Sequence, residues 1–134
     1  MRNISFAMTP DQILNRSKTV TRRLGWRFLT PGDLLQPVRK CRGLKKGERV
    51  EPLGCPIRVL SVKGEPLSRL TQSLAYGFRE TKLEGFGNFR TLSWPSAFVH
   101  WFCDTHRGCV PDTVVTRIEF EYVPQSTDYL RIDP

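Results

Sequence analysis

Residues 113–123, near the end of the chain, show the clearest alternation of apolar and polar positions. One side carries Val114, Thr116, Ile118, Phe120 and Tyr122, and the other carries Arg117, Glu119 and Glu121. Because successive side chains of a strand point to opposite faces, this pattern predicts a strand with one buried and one solvated face. Residues 56–62, rich in β-branched side chains, predict an interior strand.

Start signals and apolar spacing predict three helices. Thr9 fits an N-cap and Pro10 the first helical position of a short helix. Pro95 fits the start of a longer helix with one aromatic-rich stripe, interpreted as core and formed by Ala97, Phe98, Trp101 and Phe102. Residues 67–76 predict another short helix, and the glycines of 77–85 bound an expected loop.

Two shorter strands complete the predicted sheet. Residues 4–8 form an opening strand, and residues 34–40 follow a turn signal, with Pro37 indicating an edge or a bulge. Strands outnumber helices, and no β–α–β rhythm is present. The predicted fold is α+β: a small mixed or antiparallel barrel of about five or six strands with two or three flanking helices.

The composition is that of one ordinary folded domain. The chain has 134 residues, of which 39% are hydrophobic and 25% charged. We expect a single domain over 1–134, with a basic loop insertion at 41–54 and an irregular tail at 124–134. No apolar run is long enough to cross a bilayer, and residues 1–6 lack the apolar core of a signal peptide. These features predict a cytoplasmic protein with reduced cysteines and no membrane partner.

The excess positive charge is confined to one quarter of the chain. Residues 16–49 hold eleven of the 21 Lys and Arg residues and only two of the 13 acidic ones, a net +9 within a total of +8. A concentrated basic surface favours a polyanion, most often nucleic acid, through counterion release. An anionic membrane is a weaker alternative, because no amphipathic helix accompanies the charge.

Residues 18–23 place one amine, two hydroxyls and two guanidiniums within six positions. Guanidiniums hold phosphates or carboxylates bidentately, and a lysine beside a threonine can activate the hydroxyl as a nucleophile. In extended backbone one side carries Lys18, Val20 and Arg22, and the other carries Thr19, Thr21 and Arg23. A solvated basic turn after the first helix is the alternative interpretation. Trp26, just beyond, either stacks on a base or belongs to the barrel core.

Cysteine and histidine recur at three-residue intervals at Cys103, His106 and Cys109. Such ligands reach one zinc ion if the preceding helix ends near Cys103, and Cys41 or Cys55 would complete a tetrahedral structural site. The alternative is a pair of half-buried thiols beside a surface imidazole, since paired CxxC spacing is missing. The sequence leaves both open.

Two carboxylates, Glu80 and Glu84, fall in the expected glycine-bounded loop. A carboxylate there can serve as a general acid or base. The alternative for either residue is an ordinary solvated charge.

Together these residues resemble the ASCH family, whose members have a barrel related to the PUA RNA-binding fold. The resemblance covers nearly the whole chain, and its most specific part is Lys-Thr-x-Thr-x-Arg at 18–23 followed by the Pro-Gly-Asp turn at 31–33. Further matches are the strand at 57–62, the Leu-Glu-Gly-Phe segment at 83–86 and the strand at 115–120. The basic insertion and the Cys/His cluster are similar to those of short stand-alone members from bacteria, bacteriophages and prophages.

The resemblance implies a cleft for RNA or a modified nucleoside, bordered by residues 18–23. Some small bacterial members are amidohydrolases that remove the acetyl group from N4-acetylcytidine, without a catalytic cofactor. Matched residue by residue, their catalytic trio corresponds to Lys18, Thr21 and Glu84. The residues expected to bind the substrate or nucleic acid are Thr19, Arg22, Arg23 and Trp26.

Other activities stay open alternatives, because one fold hosts many functions. Family members are also described as non-catalytic RNA binders or ribonucleases. A phage-encoded interaction protein that acts on a host nucleic-acid enzyme through its basic loop is a third class, so a protein partner remains an alternative.

Overall fold

A computed structural model of the chain describes residues 1–125, which form five strands and four helices. In chain order these are β1 (Arg2–Ser5), α1 (Pro10–Leu14), β2 (Val20–Arg23), β3 (Leu34–Val38), β4 (Ile57–Pro66), α2 (Arg69–Gln72), α3 (Leu74–Leu83), α4 (Pro95–Thr105) and β5 (Val114–Tyr122). The α+β class and the strand number are confirmed, whereas the described helices outnumber the two or three predicted. Most of the tail predicted at 124–134 lies outside the described residues.

The five strands form one mixed sheet in the order β1-β3-β4-β5-β2. Only β1 and β3 pair in parallel, and the long antiparallel ladder of β4 with β5 forms the centre. A register shift between Val59 and Ser61 marks a bulge in β4, which bends the strand. Because β3 lies between β1 and β4, the edge position predicted from Pro37 is wrong. Pro37 lies beyond the two-residue ladder of β3 with β4.

The two outer strands of the sheet, β1 and β2, approach each other. The Arg23 guanidinium on β2 donates to the backbone carbonyl of Ser5 on β1. Ile4 and Phe6 pack in one cluster with Ile118 and Phe120 of β5. The sheet therefore curls around its own apolar face into a barrel-like shape, with a seam between β1 and β2.

A second apolar cluster lies beneath the helices. Its buried members are Leu67, Leu70, Phe86, Phe98, Val99, Phe102, Cys109 and Val115. Since β5 contributes to both clusters, it joins the curled sheet to the helical layer. No helix within residues 1–125 is both long and apolar enough to cross a bilayer.

The predicted starts of α1 and α4 are confirmed. Thr9 is the N-cap of α1 with Pro10 following it, and Pro95 begins α4. Phe98 and Phe102 of α4 are buried, in agreement with their interpretation as core.

The loop predicted at 77–85 is wrong, because Gly77 lies inside helix α3. A Cβ atom at Gly77 would lie 2.1 Å from the Leu70 carbonyl oxygen and 2.6 Å from Cγ of Pro95. Glycine is therefore required here for the close approach of α2, α3 and α4 and does not end the helix. The helix predicted at 67–76 is also divided, since Ser73 is extended (φ −137°) and caps α3 with its side chain.

Gly77→Ala is expected to lower the free energy of unfolding by about 1–3 kcal/mol, because the added methyl group meets backbone and a proline ring. The gain of about 1 kcal/mol in helix propensity does not compensate. Urea unfolding measures the change. The control is Gly87→Ala, whose added Cβ meets mainly the flexible Lys82 side chain. Equal stability of the Gly77→Ala variant and the unchanged protein would contradict the packing argument.

Candidate active site

A cavity of about 360 Å³ opens at the seam between β1 and β2. Its polar side is formed by Lys18, Thr21, Arg22, Arg23 and Glu84. The remaining wall is largely aromatic, with Phe6, Phe86, Phe98, Trp101, Phe102 and His106. The rings of Phe6 and Phe86 lie beside the Lys18 amine, at 5.6 and 5.5 Å. Apolar walls with a few converging polar groups are typical of small-molecule sites of this size.

Lys18 lies between α1 and β2 and is 3% exposed. Its Nζ donates to the backbone carbonyl of Glu84 and lies 3.3 Å from Oε1 of the same residue. Burial, aided by the positive charges of Arg23 and Arg22, lowers the pKa of Lys18 to about 8 against the opposing effect of Glu84. Roughly a tenth of this amine is therefore neutral at pH 7.

Thr21 is also 3% exposed and lines the same cavity. Its Oγ1 accepts a hydrogen bond from Nε of Arg23 at 3.2 Å. The Lys18 ammonium donates to Glu84 and not to Thr21. The alternation predicted for residues 18–23 does not separate these side chains, because Lys18, Thr21, Arg22 and Arg23 all line the same cavity.

Arg22 is surrounded by three carboxylates. Its Nη2 lies 2.6 Å from Oε1 of Glu65 and 2.6 Å from Oε1 of Glu80, and its Nη1 lies 3.0 Å from Oε2 of Glu84. Burial alone would lower the pKa of Arg22, but these carboxylates outweigh it and raise the pKa. In this geometry Arg22 fixes the orientation of Glu84.

Glu80 belongs to this network and is fully buried on α3. Its Oε1 also accepts from Nε of Arg117 at 2.6 Å. Burial favours the neutral acid, but Arg117 and Arg22 outweigh it and hold the pKa of Glu80 below its usual value of 4.5. The interpretation as a solvated charge is therefore wrong for Glu80, because helix α3 turns it inward.

The sequence analysis missed Glu65, the third carboxylate of the network. It is 3% exposed near the end of β4, where it accepts from Arg22, from Tyr76 and from Arg69. No motif marks this residue, and it lies beyond the predicted strand at 56–62, after Lys63 and Gly64, so the local sequence carried no signal for it.

The residues predicted to bind substrate divide into two groups. Arg23 lines the cavity, and burial lowers its pKa to about 10 against the opposing charge of Glu84. Thr19 and Trp26 do not line it. The backbone of Thr19 bonds to Leu83 and Phe120, and Trp26 packs on the cluster inside the sheet and stacks on Phe28.

The sequence analysis interpreted the aromatic residues of α4 only as core and did not predict that some of them line a cavity. Phe98 and Phe102 belong to the core as predicted, yet Trp101 and His106 extend from the same helix end to the cavity. The His106 ring stacks on Phe102 with centroids 3.9 Å apart. Helical spacing cannot distinguish an aromatic that fills a core from one that lines a cavity.

Only two of the candidate zinc ligands, Cys103 and Cys109, lie together. The Sγ atoms of Cys103 and Cys109 are 3.9 Å apart, while Nδ1 of His106 faces the Phe102 carbonyl at 2.8 Å. Cys41 is exposed in the basic loop. Within residues 1–125 no three His, Cys, Asp or Glu side chains are grouped as metal ligands. Helix α4 extends to Thr105, so the turn required near Cys103 is not formed.

Two solved structures share this fold. An ASCH domain from Lactobacillus crispatus JV V101 is 17% identical, with a TM-score of 0.60 over 90% of this chain and 78% of that chain. Protein EF3133 of the DUF984 family, from Enterococcus faecalis V583, is 17% identical, with a TM-score of 0.56 over 91% of this chain and 71% of that chain. The sequence matches no protein-family model and no curated protein. The resemblance to ASCH domains is therefore confirmed at the level of the fold.

Glu80→Gln is expected to lower the free energy of unfolding at pH 7 by about 3–5 kcal/mol, because it breaks a buried ion pair. The carboxylate of Glu80 stabilises the fold above its ordinary pKa of 4.5, and this contribution is lost as the pH falls through the lower pKa of the folded state. Urea unfolding from pH 7 to pH 3 measures both effects. The difference in the free energy of unfolding between the variant and the unchanged protein should decrease toward pH 3.

The matched control is Glu121→Gln, which breaks only the exposed pair with Arg58. Its cost is expected to stay below about 1 kcal/mol. If the two glutamine variants were equally stable, the Arg22 network would not be a main source of stability.

Proposed function

We propose that this protein binds an acylated nucleobase in the cavity and hydrolyses its exocyclic amide, with N4-acetylcytidine as the representative substrate. The observation that carries the proposal is that Lys18, Thr21 and Glu84 line one aromatic-walled cavity. They are also the residues that the ASCH resemblance matches to a catalytic trio. The shared fold of an ASCH-domain structure supports the proposal at the level of architecture.

The aromatic wall suits a planar base. Phe86 and Trp101 lie with ring centroids 5.6 Å apart, at the edge of a larger cluster of aromatic contacts. Aromatic side chains stack on nucleobases with little dependence on base identity. The base would lie against this wall with its acylated amine directed toward the polar side.

The neutral amine of Lys18 acts as general base in the first step. It takes the hydroxyl proton of Thr21, whose Oγ1 forms a bond to the amide carbonyl carbon. Burial of Lys18 serves this step, since an amine with a pKa of about 8 supplies a neutral fraction near physiological pH.

Glu84 carries the proton onward. Its Oε1 lies 3.3 Å from Nζ of Lys18, so the proton passes from the ammonium to the carboxylate and then to the departing nitrogen. The C–N bond breaks and the free exocyclic amine leaves. Water then attacks the acyl ester on Thr21 while Lys18 takes a proton from the water. The bond between the acyl carbon and Oγ1 breaks, the proton passes from Lys18 to Oγ1, and the carboxylic acid leaves. Arg22 keeps Glu84 in place through Oε2.

A non-catalytic nucleic-acid-binding module is the second candidate function. The observation that favours it is the hydrogen bonding of Lys18 to Glu84 in place of Thr21. Such a module would bind its ligand equally well with or without the Thr21 hydroxyl.

Lys18→Ala and Thr21→Ala are each expected to reduce turnover of N4-acetylcytidine by about 10²–10⁴-fold, because each removes a group that acts in the transition state. Chromatography of the released cytidine measures the rate. The controls are Lys63→Ala and Thr71→Ala, which alter exposed residues outside the cavity lining. Full turnover by Thr21→Ala would rule out the threonine nucleophile, and no turnover by the unchanged protein would favour the binding module.

The rate should depend on pH through Lys18. Because the base must be unprotonated, kcat/KM is expected to rise about tenfold per pH unit below about pH 8 and to level off above it. Initial rates from pH 6 to pH 9.5 measure the profile. A flat profile between pH 6 and pH 8 would contradict the assignment of Lys18 as the base.

A further inference from the structure

The basic loop predicted at 41–54 is, in the structure, a hairpin-like excursion over residues 39–51 that leaves the end of β3. Its base is closed by a bridge between Val38 and Pro52 and by a hydrogen bond from the Arg39 N–H to the Glu51 carbonyl. The loop contains six basic and two acidic side chains, a net charge of +4. Neither the fold nor the proposed chemistry uses this charge.

The two acidic side chains of the loop pair with basic residues near its base. Glu51 lies 2.8 Å from Nε of Arg39, and Glu48 lies 3.2 Å from Nζ of Lys40. The remaining four basic residues are exposed and form no ion pair with the described residues 1–125; they are Arg42, Lys45, Lys46 and Arg49. The loop is thus held by its own ion pairs while four cationic side chains face solvent.

The loop begins beside the cavity. The N–H of Phe6, which lines the cavity, donates to the Val38 carbonyl at 2.9 Å. The Arg23 guanidinium, which also lines the cavity, donates to the carbonyl of Ser5, the neighbour of Phe6. A ligand that extends out of the cavity on this side meets the loop first.

We propose that the basic loop holds the phosphate backbone of a single-stranded polynucleotide while the acylated base occupies the cavity. This inference rests on the proposed function for the occupant of the cavity. A free nucleoside has no phosphate for four unpaired cations, whereas a polynucleotide presents several in a row. Single strands fit the seam because their bases enter a pocket without the cost of leaving a duplex.

The test measures binding of labelled, unmodified single-stranded oligonucleotides, RNA and DNA in separate arms, by fluorescence anisotropy. The loop variant carries Arg42→Ala, Lys45→Ala, Lys46→Ala and Arg49→Ala. The control variant loses the same charge from exposed residues outside the loop and the cavity lining, by Arg27→Ala, Lys63→Ala, Lys82→Ala and Arg90→Ala. Circular dichroism checks that both variants fold. If the loop variant does not fold, the double variant Lys45→Ala/Lys46→Ala is used in its place.

Four phosphate contacts to a single strand account for about a 50-fold loss of affinity between 50 and 200 mM salt. The unchanged protein and the control variant should show this salt dependence, and the loop variant should lose most of it together with at least about tenfold in affinity at the lower salt. Such a loss in either the RNA or the DNA arm supports the proposal. Equal binding by the loop and control variants, or absence of oligonucleotide binding by the unchanged protein, overturns it.

A second measurement separates this inference from the proposed chemistry. It compares kcat/KM for an N4-acetylcytidine oligonucleotide with kcat/KM for the free nucleoside, and the ratio should fall in the loop variant. Hydrolysis of both substrates with an unchanged ratio overturns the role of the loop and leaves the amidohydrolase intact. Loop-dependent oligonucleotide binding without hydrolysis supports the loop and overturns the chemistry.

Discussion

The burial of Arg22 among three carboxylates is the interaction on which the rest of the site depends. It joins β2 to Glu65 of β4, to Glu80 of α3 and to Glu84 at the end of that helix. A buried charge that loses one of its partners costs several kcal/mol, so these elements must keep their relative positions. Arg117 of β5 reinforces this arrangement through Glu80.

This network also sets the state of Lys18, which the proposed mechanism uses as its base. Glu84 is shared between Arg22 and Lys18, which holds the amine against the cavity wall. Burial and two neighbouring guanidiniums bring the pKa of Lys18 toward neutrality, while Glu84 prevents a larger decrease. These contacts are all made within the protein itself, which suits the preorganised site that the proposed mechanism calls for.

The position of the cavity follows from the same architecture. The sheet curls without pairing β1 to β2 in its order, and the resulting seam places Thr21, Arg22 and Arg23 of β2 in one cavity with the aromatic end of α4. The basic loop leaves β3 beside β1 and thus lies near this opening. In the proposed function, the charge outside the cavity would hold a phosphate backbone, and the apolar wall inside it would hold a base.

Local patterns in the sequence determined the elements with strong periodicity or start signals. The alternation in β5, the interior strand β4, the Thr9–Pro10 start of α1 and the aromatic face of α4 were all predicted correctly. Local signals failed where contacts with distant segments determine the residue type. Gly77 was interpreted as a loop glycine, but it lies inside a helix and is required there because Leu70 and Pro95 approach it closely. Motif matching placed Lys18, Thr21 and Glu84 together, and the structure brings them to one cavity.

The sequence by itself thus determined the residue types available for chemistry and the concentration of positive charge near them. Only the tertiary structure decided which charges are paired, since Glu65, Glu80 and Arg117 come from three separate elements. It also decided that Trp26 packs on the core while Trp101 and His106 face the cavity. The physical reason is that pairing, burial and exposure depend on contacts between distant segments, which no local pattern records.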